Sequence, residues 1–169
     1  MISPTWIRFH WKTTRPPSPP TLDSRLTIRN ATASEQNLVL KVTLLALAMN
    51  TDWHDVTHEV QNLIEGAIKK SFIADEEPSC LVATHGSRII ATSLLDSSPE
   101  STNHLMSGTW VFPEYRNRGV GTALLWSSLQ QLAEQGIISV FGMTRKNSIA
   151  AQFVYPKFGG TIENFSPTI

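Results

Sequence analysis

The stretch from Val111 to Leu125 constrains the fold of this chain most. In it, a strand-like segment passes into a helix through a proline, two arginines and Gly119-Val120-Gly121. Glycines at a helix start let the backbone turn sharply and let a ligand approach its N–H groups. Those N–H groups have no partner within the helix and lie at the positive end of its dipole. The stretch therefore predicts an anion site, best suited to a pyrophosphate, with added charge from Arg116 and Arg118.

The predicted elements around this stretch have the pattern of an α/β or α+β domain built on a mixed sheet. With 169 residues and 41% hydrophobic side chains, the chain is long enough for one domain with a buried core. Ser34 is predicted to cap the first helix. In chain order, the predicted elements are strand Leu26–Arg29, helix Ser34–Met49, a helix from Asp52 or Asp55 to Lys70, strands Ser79–Thr84, Arg88–Leu95 and Leu105–Phe112, helix Gly119–Gln135, strand Ile137–Met143, helix Ser148–Phe158 and strand Thr161–Phe165.

The N-terminal segment has a different composition from the rest. Residues 1–22 are predicted to be a leader and a stiff linker, and residues 23–169 the folded domain. The run from Pro16 to Pro20 cannot be helical, because proline lacks an N–H group and clashes within a helix. Before it, the segment from Thr5 to Trp11 holds three aromatic residues and has the composition of a short strand.

Charge, hydropathy and cysteine content argue against several classes of function. The 14 basic and 14 acidic residues give a net charge of zero, which disfavours non-specific binding to nucleic acid. No apolar run approaches the ~18 residues that a membrane span needs. The single cysteine, Cys80, excludes an internal disulfide and a cysteine-rich zinc site. We therefore expect no nucleic acid, membrane or metal partner, and a reducing, cytoplasmic compartment.

The spacing of the loop residues distinguishes among phosphate ligands. A dinucleotide fingerprint would need a third glycine where Leu124 stands, and a nucleoside triphosphate loop would need Gly-Lys-Ser/Thr. What remains is Arg116-x-x-Gly119-x-Gly121 between a strand and a helix. This pattern, preceded by Pro-Glu-Tyr-Arg, resembles the acyl-CoA loop of the GNAT family of N-acetyltransferases.

A second block agrees with the same family. The segment from Ser148 to Gly160 resembles its Asn-x-Ala-Ala-x-x-x-Tyr-x-Lys-x-Gly-Phe helix, with Tyr155 in register. Two positions depart from the pattern. Ser148 replaces the usual asparagine, with Asn147 one residue early, and Gly160 stands where the family has phenylalanine.

The resemblance covers residues from about Leu26 to Phe165 and implies a fold. That fold is a mixed, mostly antiparallel central sheet flanked by about four helices. Members usually end with a further strand, which this sequence lacks after Phe165. We hypothesise that Thr5 to Trp11 fills that edge position, in its own domain or in a neighbouring one.

The resemblance also implies an activity, namely transfer of the acetyl group of acetyl-CoA to a primary amine of a small molecule or peptide. The amine would attack directly in a ternary complex, with Tyr155 as general acid. His58 is the best-motivated base because imidazole titrates near neutrality, and a relay of water molecules is the alternative. A homodimer is left open. The residues assigned to the cofactor are Val111, Arg116, Asn117, Arg118, Gly119, Val120, Gly121, Thr122 and Asn147.

Two other classes of function stay open at this stage. A non-catalytic acyl-CoA-binding module would keep the phosphate loop without a productive acceptor site. An interaction domain that kept only the fold would bind no acyl-CoA, and the run from Pro16 to Pro20 would be the natural ligand for its partner.

Overall fold

A computed structural model describes residues 6–14, 17–106 and 108–163. Two antiparallel sheets form its centre, with strand orders β2-β3-β4-β5 and β6-β1-β7. Helices flank the sheets. The structure therefore confirms the predicted mixed α/β class. The strands are β1 (Trp6–Lys12), β2 (Leu26–Asn30), β3 (Cys80–His85), β4 (Arg88–Leu94), β5 (Thr109–Val111), β6 (Ser139–Arg145) and β7 (Thr161–Glu163). The longer helices are α1 (Gln36–Ala48), α2 (Thr57–Ser71) and α3 (Val120–Glu134), and a π-helix spans Ala150–Val154.

Strand β1 lies inside the smaller sheet. It pairs antiparallel with β6 along its whole length, from Trp6 opposite Arg145 to Lys12 opposite Ser139, and with β7 on its other side. The aromatic segment therefore does complete the sheet, within its own domain. However, its predicted place at an edge is wrong, because β7 covers its outer side. The predicted end points Thr5 and Phe165 lie outside the described residues.

The first two helices differ from the prediction at their starts and on their buried faces. Ser34 is not the cap of α1, because a 3₁₀ turn, Ala33–Glu35, precedes the helix and begins after Thr32. A second 3₁₀ segment, Thr51–Val56, precedes α2. On α2 the side chain that enters the core is Ile64. Leu63 is 55% exposed, although its spacing from Val60 and Ala67 predicts one shared apolar face.

Strand β5 has three residues rather than the eight predicted from Leu105 to Phe112. Positive φ angles explain the short strand: Met106 has a φ of 41° and Gly108 one of 85°. Both values lie in the left-handed region, which ends an extended conformation. The chain consequently turns before it enters β5, and the turn places Gly108 at the end of the sheet.

The helix predicted from Ser148 to Phe158 is also shorter than expected. It contains the π-helix Ala150–Val154 and ends before Pro156. The Oγ of Ser148 accepts a hydrogen bond from the N–H of Ala151 (3.1 Å), as a helix-capping side chain does. Proline cannot donate the next backbone hydrogen bond, so the helical turn stops there.

Candidate active site

The candidate site is a cavity of about 610 Å³ where the two sheets separate, between β5 and β6. One wall is β5 with the first turn of α3, and the other is the end of β6 with the π-helix. A third wall comes from the 3₁₀ segment before α2. The described residues that line it include Asp52, Trp53, Gly108, Thr109, Trp110, Val111, Arg116, Asn117, Gly119, Val120, Gly121, Thr122, Thr144, Ser148, Val154, Tyr155 and Lys157.

The predicted phosphate loop, residues 116–121, turns through left-handed backbone conformations, as its glycines predict. Gly119 is the N-cap of α3 with φ 77° and ψ 9°, a left-handed conformation that side chains rarely adopt. Asn117 is also left-handed, with φ 61°. Backbone turns of this kind before a helix make anion-binding concavities from successive N–H groups. The loop is thus shaped to hold a phosphate at the positive end of α3.

Side chains of the β3–β4 hairpin hold this loop from behind. The Nδ1 atom of His85 lies 2.7 Å from the hydroxyl of Tyr115, in hydrogen-bonding contact. Arg88 donates to a carboxylate oxygen of Glu114 at 3.0 Å. The guanidinium of Arg118 lies over the Tyr115 ring, 5.4 Å from its centroid. No motif in the sequence marks His85 for this role, because its partner stands 30 residues away.

Tyr155 is fully buried and lies on the opposite wall. Phe9 and Trp11 of β1 pack edge-on against its ring, with centroids 5.4 and 5.2 Å away. A Cβ atom at Gly108 would stand 2.7 Å from its hydroxyl oxygen, so a glycine is required there. Among the described residues, no group hydrogen-bonds to this hydroxyl. Burial raises the pKa of Tyr155, so the hydroxyl stays protonated at neutral pH.

Ser148, which stands where the family pattern has asparagine, lies at the cavity. Ser148 is buried, lines the cavity and has its Oγ 2.9 Å from the Oγ1 of Thr144. Asn147 is exposed, does not line the cavity, and its carbonyl accepts a hydrogen bond from Gln152. The structure therefore puts the serine where a contact to a bound ligand is geometrically available.

An ion pair between Arg145, at the end of β6, and Asp55 fixes the third wall. Arg145 donates to both carboxylate oxygens of Asp55, at 2.7 and 2.9 Å, and to the carbonyl of Asp52. The hydrogen bond from Arg145 lowers the pKa of Asp55. The carboxylate of Asp52 accepts from the N–H of Ile149. Arg145 thus ties the end of β6 to the 3₁₀ segment that forms this wall.

The predicted site residues divide into two groups by position. Eight of them line the cavity together: Val111, Arg116, Asn117, Gly119, Val120, Gly121, Thr122 and Tyr155. Three lie outside that lining, namely Arg118, Asn147 and His58, and all three are exposed. The sequence missed Gly108 and Asp52, which no motif marks. Gly108 belongs to a left-handed turn. Asp52 belongs to a 3₁₀ segment, where the sequence predicts the start of a helix.

A second histidine near the sheet edge has a structural role. His104 is buried, and its Nδ1 accepts the N–H of Phe141 at 3.0 Å. Its Nε2 must then carry the proton of the neutral ring, which it donates to the carbonyl of Ser98. Burial lowers the pKa of His104. The imidazole therefore ties the Asp96–Asn103 loop to β6.

The described residues hold neither a cluster of metal ligands nor a helix suited to cross a membrane. No cluster of three or more histidine, cysteine, aspartate or glutamate side chains could hold a metal ion in residues 6–14, 17–106 and 108–163. In that same part of the chain, none of the helices combines the length and apolar character that a membrane crossing requires.

Two sheets that separate beside a glycine-rich helix start define a class of α/β proteins with an anion-binding helix N-terminus. The family model described as the acetyltransferase (GNAT) family matches residues 45–160, more than half of the chain. The chain belongs to this family. The comparison with curated proteins gave no match.

Solved structures support the fold assignment. A GCN5-related N-acetyltransferase from Sphaerobacter thermophilus matches with a TM-score of 0.66 and 16% identity, over 95% of this chain and 50% of that one. A GNAT-family acetyltransferase from Colwellia psychrerythraea gives 0.60 and 18%, over 95% and 53%. A functionally unknown conserved protein from Staphylococcus epidermidis gives 0.58 and 13%, over 94% and 57%. The chain spans about half the length of these structures, and the likeness concerns the fold.

Proposed function

We propose that this chain is an N-acetyltransferase that transfers the acetyl group of acetyl-CoA to a primary amine by direct attack in a ternary complex. The observation that carries the proposal is the cavity itself. It brings the phosphate loop at Gly119 and the buried Tyr155 hydroxyl to opposite walls of one space. Family membership supports acyl transfer as the chemistry of such a space.

The residues of the loop fit the pyrophosphate of the cosubstrate. The first N–H groups of α3 have no acceptor within the helix, and they meet the cavity beside Gly121. Arg116 lines the same cavity and supplies positive charge. Lys157, whose Nζ donates to the hydroxyl of Thr122, adds a second cation at this rim.

In this proposal, Val111 and Tyr155 serve the two charge changes of acetyl transfer. The thioester supplies an activated acetyl group whose carbonyl oxygen gains negative charge as the amine attacks. A backbone N–H near Val111 is suited to stabilise that charge, and one such donor contributes ~3 kcal/mol. Tyr155 holds a proton that it can give to the departing thiolate, whose conjugate acid has a pKa of ~8.5.

Removal of the proton from the amine needs a base outside this pair. Alkylammonium groups have a pKa of ~10.4, so the amine must be deprotonated before it attacks. His58 is exposed on α2 and does not line the cavity, so a chain of water molecules is the route that we favour.

We also propose the reducing cytoplasm as the compartment of this protein, in keeping with the free, buried Cys80.

The test is calorimetric titration of the purified protein with acetyl-CoA, together with two variants of one residue. A Cβ atom at Gly121 would meet its nearest neighbours, Thr109 and Val154, at an ordinary 3.7 Å. Gly121→Ala should therefore fold like the wild type and, because its side chain is small and uncharged, retain micromolar binding. Gly121→Glu adds a negative charge at the phosphate site and should abolish binding.

Each outcome of this titration has a consequence. Micromolar binding by the wild type and Gly121→Ala, lost in Gly121→Glu, supports the cosubstrate site. Release of free thiol with an amine panel then establishes transfer. Binding without transfer to any amine would assign the chain to the non-catalytic acyl-CoA-binding modules, and no binding would overturn the proposal.

A further inference from the structure

A second cavity, of about 390 Å³, adjoins the first one. Trp53 and Trp110 line both cavities, so the two spaces share a wall of two indoles. The remaining lining comes mainly from α2 and from the segment before β5. The described residues that line it are Trp6, Trp53, Val60, Asn62, Leu63, Gly66, Ala67, Lys70, Asn103, Met106, Trp110 and Met143.

We infer that this second cavity binds the acceptor, and that the acceptor is a primary amine carrying an aromatic group. The inference rests on the proposed function, because it names the second substrate of the same site. Three features of the cavity support it: the aromatic wall, the charge of the lining and the access from solvent.

The aromatic wall is a row of three indoles. The rings of Trp6 and Trp53 are 5.7 Å apart at 41°, and those of Trp53 and Trp110 are 5.7 Å apart at 54°. Successive tilted aromatic faces suit a flat ring, which can pack edge-to-face or offset against them.

The charge of the lining disfavours an acceptor with a second cationic group. Lys70 is the one titratable side chain among the described residues that line the cavity, and it is positive. Asn103 is occupied in the structure, because its Oδ1 accepts the N–H of Met143 and its Nδ2 donates to the carbonyl of Met106. A polyamine or a lysine-rich peptide would find no carboxylate in this lining.

The second cavity has its own access to solvent. Asn62, Leu63 and Lys70 at its rim are exposed, and Leu63 is 55% exposed although it is apolar. An acceptor can therefore enter from the α2 side while the cosubstrate occupies the phosphate loop.

Gly66 offers a way to fill the cavity without disturbing the fold. It lies within α2, it lacks the positive φ of the turn glycines, and a Cβ atom there would have no heavy atom within 4 Å. Gly66→Phe should place a ring in the acceptor space, whereas Gly66→Ala leaves it open and serves as the matched control. Neither variant touches the residues of the phosphate loop.

The experiment compares 2-phenylethylamine with 1,4-diaminobutane as acceptors for wild type, Gly66→Ala and Gly66→Phe. For the wild type and Gly66→Ala, we expect kcat/KM for 2-phenylethylamine to exceed that for 1,4-diaminobutane at least tenfold. In Gly66→Phe that preference should be lost, with acetyl-CoA affinity unchanged. Equal use of both amines by the wild type, or an equal fall for both in Gly66→Phe, would overturn the inference.

A binding measurement separates this inference from the proposed function. Quenching of tryptophan fluorescence by 2-phenylethylamine, in the presence of CoA, reports occupancy of the indole wall without turnover. Binding to Gly66→Ala but not to Gly66→Phe would uphold the acceptor class even if no transfer occurred. Loss of hexanoyl-CoA affinity in Gly66→Phe, with unaltered amine binding, would instead assign the cavity to the acyl chain and refute the inference.

Discussion

The indole of Trp11 packs edge-on against the ring of Tyr155, with centroids 5.2 Å apart and an interplanar angle of 84°. The same indole donates its Nε1 proton to the carbonyl of Lys157 at 3.0 Å. A strand from the start of the chain thus fixes the phenol of the proposed acid. The position of this indole also explains why residue 160 is a glycine. A Cβ atom there would stand 2.5 Å from Trp11 Nε1 and would clash with the carbonyl of Tyr155.

Gly160→Ala should destabilise the protein by about 2 kcal/mol or more, because neither the indole nor the backbone can retreat without loss of packing. Gly66→Ala, where the added methyl group meets open space in a helix, should be neutral or stabilise by up to about 1 kcal/mol. Urea unfolding of both variants measures the difference. Equal stability of the two variants would show that Trp11 does not fill the space beside Gly160.

Tyr155→Phe should lower kcat by about 10²-fold while acetyl-CoA affinity stays within twofold of the wild type. The hydroxyl has no hydrogen-bond partner among the described residues, so its removal should leave the melting temperature equal or higher. Steady-state kinetics, calorimetry and thermal unfolding together check this pattern. A parallel fall in stability and activity would point to a packing role instead.

The two arginines of the phosphate loop should differ in their effect on binding. Arg116 lines the cavity, whereas Arg118 is exposed with its guanidinium over Tyr115. Arg116→Ala should weaken acetyl-CoA binding about tenfold, the loss of one charge-assisted hydrogen bond. Arg118→Ala should change it less than twofold. Calorimetry at fixed ionic strength distinguishes them, and a larger loss in Arg118→Ala would reverse this ranking.

His58→Ala should keep kcat within twofold of the wild type, with the same pH–rate profile between pH 6 and 9. The imidazole is exposed on α2 and lies outside the lining of both cavities. Disappearance of an acidic limb from the profile in this variant would establish His58 as the base and exclude the water relay that we favour.

Stability at acidic pH should depend on Glu35. Its carboxylate accepts from both terminal nitrogens of Arg29 and from the N–H of Thr32, which lowers its pKa from 4.5 to about 2. Its stabilising effect is complete above pH 4.5 and is lost as the pH falls toward 2. Glu35→Gln should cost about 1 kcal/mol at pH 7 and much less at pH 2.5. A pH-independent difference in urea midpoints would contradict this.

Much of the fold could be predicted because its signals are local. The glycine pair at 119 and 121 specifies the start of α3, and the alternation around Gly86 specifies the β3–β4 hairpin. The phosphate loop belongs to this group, since its chemistry depends on backbone geometry within a few residues. These are the elements that sequence periodicity and turn chemistry determine directly.

The rest depends on contacts between residues far apart in the chain. Nothing near Leu63 indicates that it borders a cavity rather than the core, because the choice between it and Ile64 is made by the helix orientation. The central place of β1 depends on β7, more than 150 residues away, with Arg8 and Glu163 joined across a separation of 155. The second cavity requires α2, β1 and the turn before β5 together, so no short motif could reveal it.

The position of β1 between β6 and β7 has a consequence for how the molecule folds. The aromatic strand emerges during synthesis well before the segment from 139 to 163 that pairs with it, and long-range pairing of this kind is slow. The β2–β5 sheet, whose partners are nearer in the chain, can form first. Because the candidate cavity lies between the two sheets, it is complete only after both sheets have formed, and a chain stalled before that point would leave Trp6 and Trp11 uncovered.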